Sequence, residues 1–206
     1  MKQLKQFNAS LLQKMDNVKN LNNGKNIAII KSFIATSLQQ KINLQLPGYD
    51  VTRERDEFVL NTVAVLRRLC DELESTNANV IDTLISSISV TPSNIFLTLK
   101  GIFDELFIGG KNWGRIIAFL TFGAKIAIYC VSSGEFGIDY VESVENWISN
   151  YITSELGSWM KQNGDWEGLL KYFSNSNNSK FLSPSNFVVL TLAGFGVGAI
   201  LKIMFK

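Results

Sequence analysis

The sequence predicts an all-α fold: a bundle of about eight helices around a central apolar hairpin, followed by a separate C-terminal anchor helix. Three observations carry that expectation. Apolar residues recur at steps of three and four along most of the chain, the period of a helix face. Within residues 104–134, DELFIGGKNWGRIIAFLTFGAKIAIYCVSSG, Lys125 is the only charge after Arg115, so this helix lacks a solvent face and must lie inside a bundle or a membrane. Residues 181–201 carry no charge, follow a polar stretch and precede Lys202 and Lys206.

Composition narrows the class further. A chain of 206 residues accommodates one domain with a real core plus terminal segments. Hydrophobic residues make up 46% and charged residues only 18%, against about 25% in an ordinary soluble protein, so membrane contact is expected. The net charge of +2 is uneven, because residues 1–50 carry seven lysines against Asp16 and Asp50. These lysines are scattered and build no concentrated basic face, which argues against a nucleic-acid partner. With no histidine, the chain lacks the commonest general base and metal ligand, and every Ser-His or Cys-His nucleophile is excluded. Asp104 and Glu105 are no acid/base pair, since adjacent residues on a helix do not face one another. Neither an enzyme nor a bound cofactor or metal is expected. Cys70 and Cys130 sit in apolar helical contexts without ligand spacing and read as buried free thiols, which suits the cytosol. The N-terminus is lysine-rich and amphipathic, unlike a secretory signal; Asp16 and the absence of arginine argue against a mitochondrial presequence.

Leu4, Phe7, Leu11, Met15 and Val18 form one stripe, so residues 1–26 are expected to be an N-terminal amphipathic or flexible segment, broken by the run Asn20 to Asn26. A helix over 27–44 buries Ile27, Ile30, Phe33 or Ile34, Leu38 and Ile42, and stops before Leu46-Pro47-Gly48. The next runs over about 54–75; Thr62, Leu66, Leu69 and Leu73 fall within about 60° at 100° per residue. Cys70 lies on one flank, and the helical wheel turns Asp71 toward solvent. A short helix over 78–88 precedes Pro92, which opens a helix over about 92–107 with Ile95, Phe96, Leu99, Ile102, Phe103 and Leu106 inward. After the central helix and a turn near Ser132-Ser133-Gly134, residues 135–157 form an amphipathic partner whose wet side holds acids at 135, 139, 142, 145 and 155. Gly164 ends the following helix and Asp165 caps the next. Residues 27–173 thus make the bundle, 174–180 a polar linker and 181–206 an anchor whose apolar core, Phe187 to Leu201, contains a Gly194/Gly198 pair suited to close packing in a bilayer.

ELFIGGKNWGRIIAFLTFGAKIA, residues 105–127, resembles the first homology motif of the Bcl-2 family of apoptosis regulators, with Asn112-Trp113-Gly114-Arg115 its most diagnostic part. WMKQNGDWEGLLKYF, 159–173, resembles the second motif; LRRLCDELES, 66–75, the third, death-promoting motif; and residues 27–44 occupy the place of the fourth. The resemblance implies a hydrophobic groove involving Phe103, Leu106, Asn112, Trp113, Gly114, Arg115 and Phe119. It implies a death-motif helix of Thr62, Leu66, Leu69, Cys70, Asp71 and Leu73, a second motif of Trp159, Gly164, Trp166 and Leu169, and an anchor through Phe187, Leu190, Gly194, Gly198 and Leu201. It further implies that the motif aspartate, Asp71, pairs with Arg115, and that Asn112 and Gly114 serve helix capping and close approach.

By resemblance the chain is most similar to Bax-like effectors. Such a protein rests in the cytoplasm, exposes its death motif on activation, forms homodimers and higher oligomers, and permeabilises the mitochondrial outer membrane. Its partners would be death-motif helices of other family members, further copies of itself and the lipids of that membrane, with the endoplasmic reticulum as a second location. The alternative is a pro-survival member that sequesters death-motif helices. Thr62 in place of a large first anchor and Cys70 in place of glycine weaken the third motif and suit that alternative.

Overall fold

The computed structural model describes residues 24–46, 56–87, 91, 93–134 and 136–174. The expectations for residues 1–23, for the linker beyond Ser174 and for the anchor at 181–206 lie outside the described residues. Every regular element among the described residues is helical: α1 (residues 24–42), α2 (Glu57–Ser87), α3 (Ile95–Ile108), α4 (Trp113–Ser132), α5 (Asp139–Tyr151), α6 (Gly157–Gln162) and α7 (Asp165–Ser174).

The Asn-rich run does not hold off α1, which is already helical at Gly24 and gains a reason to start there from its neighbours. Lys25 lies over the Phe58 ring and pairs with Glu167 of α7 at 2.8 Å, and Asn26 accepts from the Trp166 indole, also at 2.8 Å. Ile29, Ile30, Phe33, Ile34 and Leu38 are fully buried, but Ile27 is only half-buried and Ile42 is exposed, because the bundle ends before the last turn of α1.

Asp56 starts α2 by accepting from the amides of Phe58 and Val59. The two helices expected over 54–75 and 78–88 are both present between Glu57 and Ser87, separated by a kink at Asn77, where φ is −133° and ψ is 22° and the backbone is not helical. The Asn77 side chain donates to the carbonyl of Leu73, competing with the helix's own ladder at the bend. Thr62, Leu66, Leu69, Cys70 and Leu73 all show 0% exposure, on a helix that packs against α4.

The centre is α4, with 14 buried residues out of 20. Asn112 caps it, its Oδ1 accepting from the Arg115 amide at 2.9 Å. Among the described residues this is the one helix long and apolar enough to cross a membrane, and 78% of its most apolar window is buried against protein. Its hairpin with α5 follows the expected turn, although α5 begins only at Asp139 and yields at Ile152–Leu156 to a π-helical turn. That turn keeps Ile152, Leu156 and Met160 on the buried side as the chain passes into α6.

One expectation about α5 fails. Glu145 is not on the wet side: it is 5% exposed, and its Oε1 has no hydrogen-bond partner. Burial pushes its carboxyl up to about 7; Lys31 across on α1 works against that shift, and Glu142 adds to it. A folded-state value above the ordinary 4.5 means that the contribution of Glu145 to stability is fullest below about 4.5 and is lost as the pH rises through about 7. Glu145→Gln is therefore expected to flatten that fall and to stabilise the protein at pH 8 by about 2–3 kcal/mol, or about 5–10 °C in Tm. Melting curves at pH 5 and pH 8 check it; equal Tm for variant and parent at pH 8 would refute it.

Candidate functional site

The residues singled out by the sequence converge on the start of α4. Trp113 packs edge to face on Trp159 of α6 with ring centroids 4.8 Å apart, so the first and second motifs meet directly. Trp166 and Leu169 of α7 are buried behind them. Gly164, at φ +87°, makes the turn between α6 and α7, and Asp165 follows at φ +52°. Sequence reasoning missed Gly168, which allows the tightest approach in this region: a Cβ there would lie 1.8 Å from the carbonyl oxygen of Asn163 and 3.3 Å from the Trp113 ring. A glycine inside a predicted helix was the available signal.

Phe103 and Leu106 of α3 and Phe119 of α4 are completely enclosed. Phe103 meets Phe119 edge to face at 4.5 Å, and Phe107, Trp147 and Tyr151 complete an aromatic cluster joining α3, α4 and α5. The Tyr151 phenol donates to Asp104 at 3.2 Å. Burial first, and the Asp104 charge second, hold its ionisation far above the ordinary range, so it remains a neutral donor.

Arg115 is 8% exposed and folds back under the Gly109-Gly110 turn, where it donates to the Gly110 carbonyl. A Cβ on Gly109 would lie 2.5 Å from the guanidinium, so the glycine lets Arg115 lie close against the turn in this position. The Arg115 Nε has no partner, and among the described residues no carboxylate pairs with Arg115. Gly114, by contrast, is in no unusually close contact: a Cβ there would be 3.4 Å from Asn112 Oδ1, so the free chain does not use it for close approach.

The Asp71–Arg115 pair is not formed within the chain, where a different set of cations takes Asp71. Lys41 of α1 and Arg67 of its own helix each approach Asp71 Oδ1 to 2.9 Å. Arg67, 5% exposed, also donates to Ser37 and Gln40 of α1. Lys41 reaches Glu74, and Lys125 of α4 reaches Glu74 and Asp82, so ion pairs run from α1 across α2 to α4. The side chains of this network line an open cleft of about 530 Å³ on a face of α2 that Arg115 does not line. Asp71 remains 45% exposed, close to the wheel's expectation, but it is not free. Burial pushes the Cys70 thiol up to about 12, and Cys130 is raised by burial to about 11; both are unreactive core thiols.

An apolar central helix enclosed by amphipathic ones, with a capped and tucked arginine at its start and two packed tryptophans beneath it, defines a Bcl-2-type helical bundle. A family model for apoptosis regulator proteins of the Bcl-2 family matches residues 66–166. Bcl-2-like protein 1 of Gallus gallus is 32% identical over 111 residues, 54% of this chain and 48% of that protein. Its Homo sapiens counterpart is 30% identical over 112 residues, 54% of this chain and 47% of the other. The chain spans about half the length of the curated relatives it matches. Among solved structures, Trichoplax adhaerens trBcl-2L2 bound to trBak BH3 has a TM-score of 0.68 at 28% identity, covering 74% of this chain and 99% of that one. Chicken BOK shares the fold at a TM-score of 0.63 and 20% identity, covering 74% and 97%. Over about half its length in sequence, and in its fold, this chain is similar to the Bcl-2 family of apoptosis regulators.

Proposed function

We propose that this protein captures an amphipathic death-motif helix, the third homology (BH3) segment of another family member, between α3 and the start of α4. The observation that carries the proposal is Arg115: a nearly buried cation with a free Nε and no carboxylate partner among the described residues, one helical turn before the buried Phe119 on α4. An incoming helix would bury its apolar stripe for affinity, while its carboxylate reached Arg115 and fixed the register. Helix-in-groove recognition of this kind is a mode for which the family is itself a standard example. The Trichoplax relative, whose solved structure is a complex with a BH3 segment, supports the same reading.

Arg115→Met keeps most of the apolar stem and removes the charge. It is expected to weaken binding of a labelled trBak BH3 peptide about 10- to 100-fold, the range of a charge-assisted hydrogen bond, with helical content retained. Fluorescence anisotropy measures the first and circular dichroism the second. Undiminished affinity would remove Arg115 from the interface.

Of the two branches, capture as an end in itself is the better supported. The chain's own third motif carries Thr62 at its first anchor and Cys70 at its small position, and Lys41 and Arg67 hold its aspartate in place. One observation favours the effector reading: α4 has 20 residues, about 30 Å of helix at 1.5 Å per residue, and is apolar enough to cross a membrane. Purified protein with activating peptide and liposomes of mitochondrial lipid composition separates the two, since dye release belongs to the effector and tight binding without release to the capturing protein.

A further inference from the structure

Helix α3 stands between solvent and the aromatic residues that a captured helix would touch. Its inner side, through Leu99, Phe103 and Leu106, is buried, whereas its outer side leaves Leu97 and Ile108 77% and 72% exposed. Phe103, Leu106 and Phe119 have no accessible surface, so a ligand cannot reach them while α3 stays where it is. Apolar contacts hold α3 without direction, whereas a hydrogen bond holds it at one place. Among the described residues a single side-chain hydrogen bond joins α3 to another helix, from the Tyr151 phenol of α5 to Asp104 Oδ1 at 3.2 Å. Asp104 is otherwise engaged only within α3, by Lys100.

We infer that Tyr151 is a positioning residue for helix capture: its bond to Asp104 fastens α3 over Phe119 and keeps Phe103 of α3 turned inward in the free protein, and that bond opens when a death-motif helix enters. The inference rests on the capture function proposed above. In the closed arrangement the floor is inaccessible, so the apparent affinity is the intrinsic affinity reduced by the fraction of molecules in which α3 has moved. Removing the phenol oxygen raises that fraction and leaves the aromatic ring, with its stacking on Phe107 and Phe119, in place.

The test is stopped-flow binding of a fluorescein-labelled trBak BH3 peptide to the full chain, to Tyr151→Phe and to Asp104→Ala, which breaks the same bond from the α3 side. Both variants are expected to associate about 3- to 10-fold faster, to dissociate at the parent's rate and to bind tighter by the same factor. The double variant should match the singles, since one bond is removed in each case. A tyrosine that merely stabilises the fold would lower the melting temperature and leave the association rate where it was. If the parent chain does not bind the peptide, the capture function falls and this inference with it. If the parent binds and the variants associate no faster, the capture function stands and the role of Tyr151 is overturned. A change confined to the dissociation rate also overturns it, because Tyr151 would then be touching the ligand.

Discussion

Gly168→Ala is expected to destabilise the protein by about 3 kcal/mol or more, the upper end of overpacking effects, and to lower Tm by about 10 °C. The added methyl would lie 1.8 Å from the Asn163 carbonyl oxygen and 2.9 Å from its carbon, both backbone atoms. No rotamer change relieves that clash. The turn from Asn163 to Asp165, already using positive φ at two successive residues, must move instead. It can move only by pushing α7 off Trp113. Gly123→Ala is the control: its Cβ would approach Ile148 Cδ1 to 2.4 Å, but that atom is the end of a flexible side chain, and alanine is the better helix former by about 1 kcal/mol. Thermal melts of both variants test the distinction; similar losses would show that backbone crowding at Gly168 is not the controlling contact.

The second large effect belongs to Phe119→Ala, expected to cost about 3–5 kcal/mol, a substantial part of a stability of about 5–15 kcal/mol. Phe119 is fully buried on α4 and contacts Phe103 and Phe107 of α3 and Tyr151 of α5, with centroid separations of 4.5, 6.2 and 5.2 Å. Truncation leaves a void among rings attached to three different helices, and none of them can close it without shifting its helix. Phe119→Leu fills most of the space and should cost much less. Urea denaturation reads both as a lower midpoint at unchanged slope. A loss under about 1 kcal/mol for the alanine variant would mean that α3 is held mainly by its aliphatic residues, Leu99, Ile102 and Leu106.

The helical periods were legible because each long helix buries one face: Leu66, Leu69 and Leu73, or Ile95, Leu99, Ile102 and Leu106, are enclosed as their spacing predicts. Asn112 was legible as a cap for the same local reason, since a cap acts on the amides of its own first turn. Glu145 was misread because an acid among alternating charges looks solvated; only the packing of α1 across α5 encloses it. The partners of Asp71 within the chain, Lys41 and Arg67, were not legible, because Lys41 reaches it from a different helix. The kink at Asn77 falls between the two helices that pattern alone separates, whereas the length of α1 toward its N-terminus came from contacts with Phe58, Trp166 and Glu167, distant in sequence.

What the sequence determined by itself is therefore whatever follows from local periodicity and short motifs: the all-α class, the apolar α4, its cap and the order of motifs that resembles the Bcl-2 family. What only the tertiary structure decided is where each charge and polar group finds a partner. Arg115 turns to the Gly110 carbonyl, Asp71 to α1, Tyr151 to Asp104, and Glu145 to no hydrogen-bond partner at its buried oxygen. The reason is physical. Apolar burial is non-directional and leaves its mark as a repeating pattern along one helix, while hydrogen bonds and ion pairs depend on distances between helices, which no spacing along the chain encodes.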